Sequence, residues 1–370
     1  MPARAQGLER RFAAGRRFPF AALACRVHGV GLLRTCLLLP GLVLTGLVLP
    51  GLLLTSCGGS YRGQNPGDGG GADPAAIPAQ RPGTLPAGLE FLYSFENEVG
   101  AEYFPIEGIA GCEYGQDGSL IFCDEKRGKV YGLDPRRQTW FEFDTPLSRP
   151  YNPVDVRSDG FKVLVLDMGG NQIFRFDQSG AQLDLLLDIR QLDPGYPIQA
   201  SAFDVDQDGR MVITDAASQQ ILLLDSFLNL TMRLGGPGGL GDQFQDPSGI
   251  VFLADGGFLV SDRGNRRLAL YGRLGFFEET IGGEFDLRSA FVAPQGIDRD
   301  RFGNVFVADL GNGLIHVLDQ GLRLRFSAGG GFSLQGTPMA PIDVALGPDD
   351  LLAVTDRARS AILVYRILYE

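Results

Sequence analysis

The chain has 370 residues and a formal net charge of −11, with 44 acidic against 33 basic side chains. The first 56 residues carry seven arginines and one glutamate, so without them the net charge is −17, which opposes nucleic acid because phosphates are bound by Lys and Arg that displace counterions. Of the two histidines only His316 lies beyond residue 56, and this excludes a three-histidine zinc site.

Arg4, Arg10, Arg11, Arg16, Arg17, Arg26 and Arg34 open the chain, and an apolar run from Cys36 to Leu54 follows, ending in Leu54-Thr55-Ser56-Cys57-Gly58. Basic, then apolar, then small residues is the layout of an export signal, so residues 1–56 read as a signal peptide. The small residues before Cys57 resemble the lipobox of bacterial lipoproteins. That resemblance implies that Cys57 is diacylated, becomes the mature N-terminus and anchors the protein to the cell envelope. Gly58 rather than Asp after it favours the outer membrane. An uncleaved transmembrane anchor is the alternative, since about 20 apolar residues span a bilayer; Pro40 and Pro50 oppose it. Either way the globular part lies outside the cytoplasm.

Residues 57–86 are rich in Gly, Pro and Ala, including Gly69-Gly70-Gly71. Such a stretch buries too little apolar surface to order itself and reads as a flexible linker. Residues 87–370 change character. Six segments share the pattern of alternating apolar residues closing on aspartate: Leu120–Asp124, Val163–Asp167, Met211–Asp215, Leu259–Asp262, Val305–Asp309 and Ala353–Asp356. The closing aspartates are 43, 48, 47, 47 and 47 residues apart. Several short strands repeated at this period predict an all-β, six-bladed β-propeller with four-stranded blades. The sixth copy runs out of chain after its third strand, Ala361–Leu368, and Leu89–Phe95 supplies the missing fourth, so the N-terminal strand closes the last blade. An open ring would leave two unpaired edges.

The fourth unit is the clearest. Gly235–Ile250 nearly spells Gly-x-x-Gly-x-x-x-Gly-x-Gln-Phe-x-x-Pro-x-Gly-Ile, and Asp262–Arg267 gives Asp-x-Gly-Asn-x-Arg. The fifth repeats it with Pro294-Gln295-Gly296-Ile297, whereas in the first Glu107-Gly108-Ile109 replaces Pro-x-Gly-Ile. These units resemble NHL repeats, which implies an interaction platform. Cys112 and Cys123 flank the turn Gly115-Gln116-Asp117-Gly118 in two predicted antiparallel strands, and their near-opposition predicts a disulfide, with two reduced core cysteines as the alternative.

A repeat is its own control: a residue present in every copy is scaffold, and one that breaks the pattern is the better functional candidate. The six closing aspartates, and Lys129, Gln172, Gln220 and Arg267 at one shared position, are scaffold by this test. His316 reads as an ordinary strand residue. No Gly-x-Ser-x-Gly elbow or phosphate loop occurs. Asp155, Asp204, Asp298 and Asp343 fall on the innermost strands, with Glu107 at the start of the first blade. Carboxylates converging on an axis could hold Ca²⁺, which takes six to eight oxygens. Calcium-dependent lactonases of the gluconolactonase and paraoxonase type use a comparable centre, but their paired asparagines are missing here, Asn152 being the one near match. The turns after strand B carry Lys126 and Arg127, Arg263 and Arg266, and Arg357 and Arg359 in alternate blades, while the others are neutral. This forms a basic face for ligands, since arginine's planar fork suits carboxylate and phosphate; solvated turns are the plainer reading.

The sequence therefore predicts an exported, lipid-anchored propeller, a non-enzymatic binding or scaffolding module without a cofactor. Its partner is an envelope protein or an anionic glycan, with the membrane engaged through the N-terminal lipid and no nucleic acid. A calcium-dependent, lactonase-like hydrolase and a ligand-free structural spacer stay open as alternatives.

Overall fold

Six antiparallel sheets of four strands each form a ring, a six-bladed β-propeller. This computed structural model describes residues 83–96, 98–99, 102–103, 106–134, 139–146, 151–283, 291–329 and 338–370. The predicted signal peptide, Cys57 and the linker as far as residue 82 lie outside the described residues. In each blade the strands run A to D outward from the axis. The inner A strands of blades 1 to 6 are Ile109–Tyr114, Pro153–Asp159, Ala200–Val205, Pro247–Phe252, Pro294–Arg299 and Pro341–Leu346.

Strands B and C are largely buried on both faces, so they read as nearly continuous apolar runs; strand B of blade 4, Phe258–Asp262, is buried throughout. The outermost strands alternate instead, as in Leu324–Gly329 of blade 5, where partly buried and exposed residues succeed each other. The core is divided into six apolar clusters, each between two neighbouring blades. Because side chains alternate sides along a strand, an inner strand can feed both flanking clusters, as Ala200 and Phe203 join one and Ala202 the other.

The expected closure is present. Pro86–Phe95 pairs antiparallel with Ala361–Tyr369, from Pro86 opposite Tyr369 to Phe95 opposite Ile362, and becomes strand D of blade 6. The six closing aspartates are fully buried. Each accepts from two directions. Asp124 takes the N–H groups of Glu107 and Gly108, in the loop leading to strand A, and that of Arg127 in its own turn. Asp309 does the same with Val292, Ala293 and Gly311. These side chains therefore clamp the D–A loop to the B–C turn on one face of the ring, beyond the single turn expected from the sequence. On the opposite face, aspartates fix the A–B and C–D turns: Asp206 accepts from the N–H groups of Asp208 and Arg210, and Asp225 from those of Phe227 and Asn229.

The disulfide is corrected. In the blade 1 hairpin Tyr114 faces Leu120 and Cys112 faces Phe122, so Cys123 is one residue out of register with Cys112. A one-residue offset puts a side chain on the other side of a sheet. Cys112 lies in the cluster between blades 6 and 1, Cys123 in that between blades 1 and 2, and both are free thiols. Burial pushes both thiols well above the ordinary cysteine range. Without reductant, the folded domain should resist alkylation at both cysteines, and unfolding in denaturant should expose two reactive thiols by mass spectrometry. Protection that persists after unfolding and yields only to reductant would restore the disulfide.

Candidate binding site at the mouth of the central channel

The first residue of every A strand faces the aspartate that closes strand B: Ile109 with Asp124, Pro153 with Asp167, Ala200 with Asp215, and likewise around the ring. Blade 1 thus begins its inner strand at Ile109-Ala110-Gly111, not at Glu107-Gly108-Ile109 as the sequence alignment had it. Glu107 lies before the strand and pairs with Arg127 at 2.9 Å. Correct alignment gives two tiers of residues. The upper tier, at the Gly of Pro-x-Gly-Ile, is Gly111, Asp155, Ala202, Gly249, Gly296 and Asp343. The lower, two residues on, is Glu113, Arg157, Asp204, Val251, Asp298 and Ala345. The sequence reading missed Glu113 and Arg157; the spacing from the closing aspartate was the signal that could have found them.

Arg157 is the key side chain. It is buried, donates from Nη1 to its neighbour's carbonyl, Val156 O, at 3.0 Å, and lies 3.0 Å from Asp155 Oδ1, with Asp204 and Asp343 each at 3.9 Å. The aspartates also join blades. Asp155 accepts the N–H of Phe203 (2.9 Å), Asp204 that of Phe252 (2.7 Å), Asp298 that of Leu346 (2.7 Å) and Asp343 that of Cys112 (3.0 Å), each from the next blade round. Second oxygens of Asp155, Asp204 and Asp298 accept the following N–H of their own strand.

Five carboxyls around one guanidinium cannot all be ionised cheaply in a dry interior. Burial raises the pKa of Asp343 to about 7 and of Asp204 to about 6, against the pull of Arg157, and the charge on Asp155 pushes Asp343 further up. Burial likewise raises Asp155 and Asp298, and raises Glu113 well above the carboxylate range. Asp343 Oδ1 has no hydrogen-bond partner among the described residues and presses on Gly296, where an added Cβ would come within 1.9 Å of it. A neutral carboxyl suits that position. The donor set does not fit a calcium ion. Backbone N–H groups take at least one oxygen of each aspartate, and Arg157 occupies the space between Asp155, Asp204 and Asp343 with positive charge. Among the described residues no group of three or more His, Cys, Asp or Glu is placed to hold a metal ion.

Above this floor, on the face of the B–C turns, a cavity of about 220 Å³ opens. Asp155, Arg157 and Asp343 form its base, Ser201, Ser248 and Met168 its wall, and Arg263, Arg357, Glu125 and Asp246 its rim. The six basic residues of the turns do not make one positive patch. Arg263 pairs with Asp246, Arg357 with Glu125 (3.5 Å), Arg127 with Glu107, and Arg359 with Asp356 (2.7 Å). Lys126 and Arg266 are exposed and have no ion pair among the described residues. The face is thus a ring of mixed charge with two uncompensated cations. His316 is buried on strand C of blade 5, between Asp309 (3.2 Å) and Ser327 (2.8 Å), two strands away from the channel.

No protein-family profile matches the chain, and no curated protein is similar to it in sequence. Solved structures are similar in fold. A streptogramin B lyase is 15% identical, covering 74% of this chain and 97% of that one at a TM-score of 0.54. Virginiamycin B lyase from Staphylococcus aureus is 13% identical over 75% and 99% at 0.52, and a histidine-to-alanine form of it is described as catalytically inactive. A calcium-binding regucalcin from Agrobacterium tumefaciens is 14% identical over 72% and 92% at 0.53. At such identities the likeness establishes the six-bladed propeller and nothing finer.

Two outcomes test the channel. A carboxyl whose folded pKa exceeds its unfolded value, near 4, stabilises the fold while protonated; that contribution is complete below pH 4 and is lost as pH rises through the folded pKa. Asp343→Asn should therefore match the wild type in denaturant midpoint near pH 4 and exceed it above pH 7, the difference growing through pH about 7. A pH-independent difference would sink this assignment. Arg157→Met leaves the carboxyls without their counter-charge and should cost about 3–5 kcal/mol in equilibrium unfolding at neutral pH, with partial recovery at pH 4. Wild-type stability in Arg157→Met would show that the guanidinium is not the organising charge.

Proposed function

We propose that this propeller is an exported, lipid-anchored binding module of the cell envelope, tethered through Cys57, whose ligand docks over the channel mouth on the B–C face. The carrying observation is the channel floor. Its carboxyls are committed to backbone N–H groups of neighbouring blades and to Arg157, so they join the ring rather than stand ready for chemistry. Among the described residues the two serines of the cavity wall are held by the scaffold, Ser201 Oγ against Thr214 Oγ1 and Pro247 O and Ser248 Oγ against Ser261 O and Pro294 O, and the one histidine beyond the leader, His316, is held in blade 5. A histidine-dependent lyase would find no histidine lining this cavity among the described residues, and a calcium-dependent lactonase would find the channel carboxyls already engaged by N–H groups and Arg157.

Recognition falls to the rim. Arg263 and Arg357 are 38% and 48% exposed at the side chain and keep donors toward solvent, and Lys126 and Arg266 add charge outside them. Arginine is favoured at interface anchors because its fork and apolar stem serve both charge and packing. A rim that alternates Arg with Asp246 and Glu125 matches a protein surface of mixed charge better than a polyanionic glycan, so an envelope protein is the favoured partner.

The test is capture from native membranes with in-cell crosslinking. Reversal of Lys126, Arg263, Arg266 and Arg357 to glutamate should lower partner yield at least tenfold without changing the melting temperature by more than a few degrees. Unchanged capture rejects the B–C face. Lactone hydrolysis that needs added Ca²⁺ and vanishes in Asp204→Ala would replace the binding reading with the hydrolase.

A further inference from the structure

We propose that the face made by the A–B and C–D turns is a membrane-docking surface, lying on the bilayer that holds the lipid of Cys57. The channel mouth would then point away from the membrane. This rests on the lipid-anchor reading above.

The first support is where the chain reaches the fold. Strand C of blade 6 runs from the B–C turn down to Tyr369 on the A–B and C–D face, and Pro86 pairs with Tyr369 at that end. Gly83 N–H donates to Glu370 O at 2.7 Å, and Glu370 N–H to Leu85 O at 2.9 Å. Asn304, just after the A–B turn of blade 5, donates from Nδ2 to Thr84 O at 2.8 Å. The described chain thus starts on this face, fastened there through Gly83, Thr84 and Leu85.

The second support is a set of exposed apolar side chains at the turn tips of the same face. Phe161 in the A–B turn of blade 2 is 79% exposed, Phe227 in the C–D turn of blade 3 is 84%, and Leu274 and Phe276 at the C–D turn of blade 4 are 69% and 67%. Leu368, beside the arriving chain, is 45% exposed. Turn chemistry does not demand them. The position held by Phe227 and Leu274 is Ser179 in blade 2 and Gly321 in blade 5; in the turns of Phe227, Ser179 and Gly321 the N–H at that position donates to an aspartate two residues earlier, and in the turn of Leu274 Gly272 stands there instead. By the logic of the repeat, the apolar residues break the pattern. A large exposed aromatic on a rigid turn suits the interfacial layer of a bilayer, where its apolar body leaves water and the polar backbone stays wet.

Charge does not drive the contact. Asp117, Asp208, Asp255 and Asp349 share this face, while Arg273 and Arg301 are paired with Asp208 and Asp350. Apolar insertion is the attraction, and the tether makes it intramolecular, so a weak partition is enough to populate the docked state.

The test uses the processed, acylated protein in vesicles of phosphatidylethanolamine and phosphatidylglycerol. An environment-sensitive dye is placed on Phe227→Cys or Leu274→Cys, with Ala358→Cys on the B–C face as control; the native Cys112 and Cys123 are buried and stay unlabelled. Dyes at 227 and 274 should shift to the blue and be quenched by a lipid-borne quencher several-fold more than the dye at 358. This should persist at roughly 1 M salt, where the Debye length is about 3 Å. Protein that is acylated and floats with the vesicles while all three dyes stay in water overturns the docking face alone. Protein that carries no acyl chain on Cys57 overturns the anchor and this proposal together.

Discussion

Six sheets can share one axis only if their inner strands come close enough to touch, and that approach governs the rest of the molecule. At the upper tier, a Cβ on Gly249 would lie 2.2 Å from Gln295 O, and one on Gly111 would lie 2.8 Å from the Cα of Asp155. Glycine permits the contact in some blades. In blades 2 and 6 an aspartate stands there instead and turns the same proximity into a hydrogen bond to the next inner strand. The carboxylates lie at the axis because blades must be joined there. A carboxylate also satisfies N–H groups that the curvature of the ring leaves without a sheet partner.

That solution concentrates acid in a dry channel, and Arg157 is the compensation. Burial raises all five carboxyl pKa values against the pull of that one guanidinium, Asp343 to about 7, so the cluster is partly protonated near neutrality. The same geometry separates this chain from a calcium centre. Oxygens that already accept N–H bonds, with a cation in their midst, are poor ligands for a second cation. With the axis spent on holding the ring together, the B–C turns gather around the channel mouth with Arg263 and Arg357 set against Asp246 and Glu125.

The ring was legible because its determinants are local and repeated. The aspartate that closes strand B, the apolar alternation before it and the missing last strand recur at a nearly fixed spacing, and all map onto the blades found. What was illegible depended on parity or on distant partners. Whether Cys112 meets Cys123 turns on one residue of hairpin register, since Tyr114 faces Leu120 rather than Ile121. Glu113 was hidden because the first blade lacks the proline that marks its inner strand, so its alignment slipped; Arg157, two residues after the correctly placed Asp155, was passed over because only carboxylates were sought at the axis. The basic turns looked like a patch because their neutralising partners, Glu125 for Arg357 and Asp246 for Arg263, come from other segments of the chain.

The two faces of the ring differ for a reason that the meander itself supplies. D–A loops and B–C turns meet on one side, where the closing aspartates cross-link them into a stiff collar around the channel. On the other side several A–B and C–D turns, such as those of Asp206 and Asp225, are fixed by their own aspartate, so their tip residues carry no structural duty and are free to vary. Substitution is cheap at such tips and costly in the collar. An apolar tip such as Phe227 is therefore a choice the fold neither requires nor penalises beyond its exposure to water. It stands on the face where the described chain begins at Gly83, whereas the opposite face is stiffened by the collar.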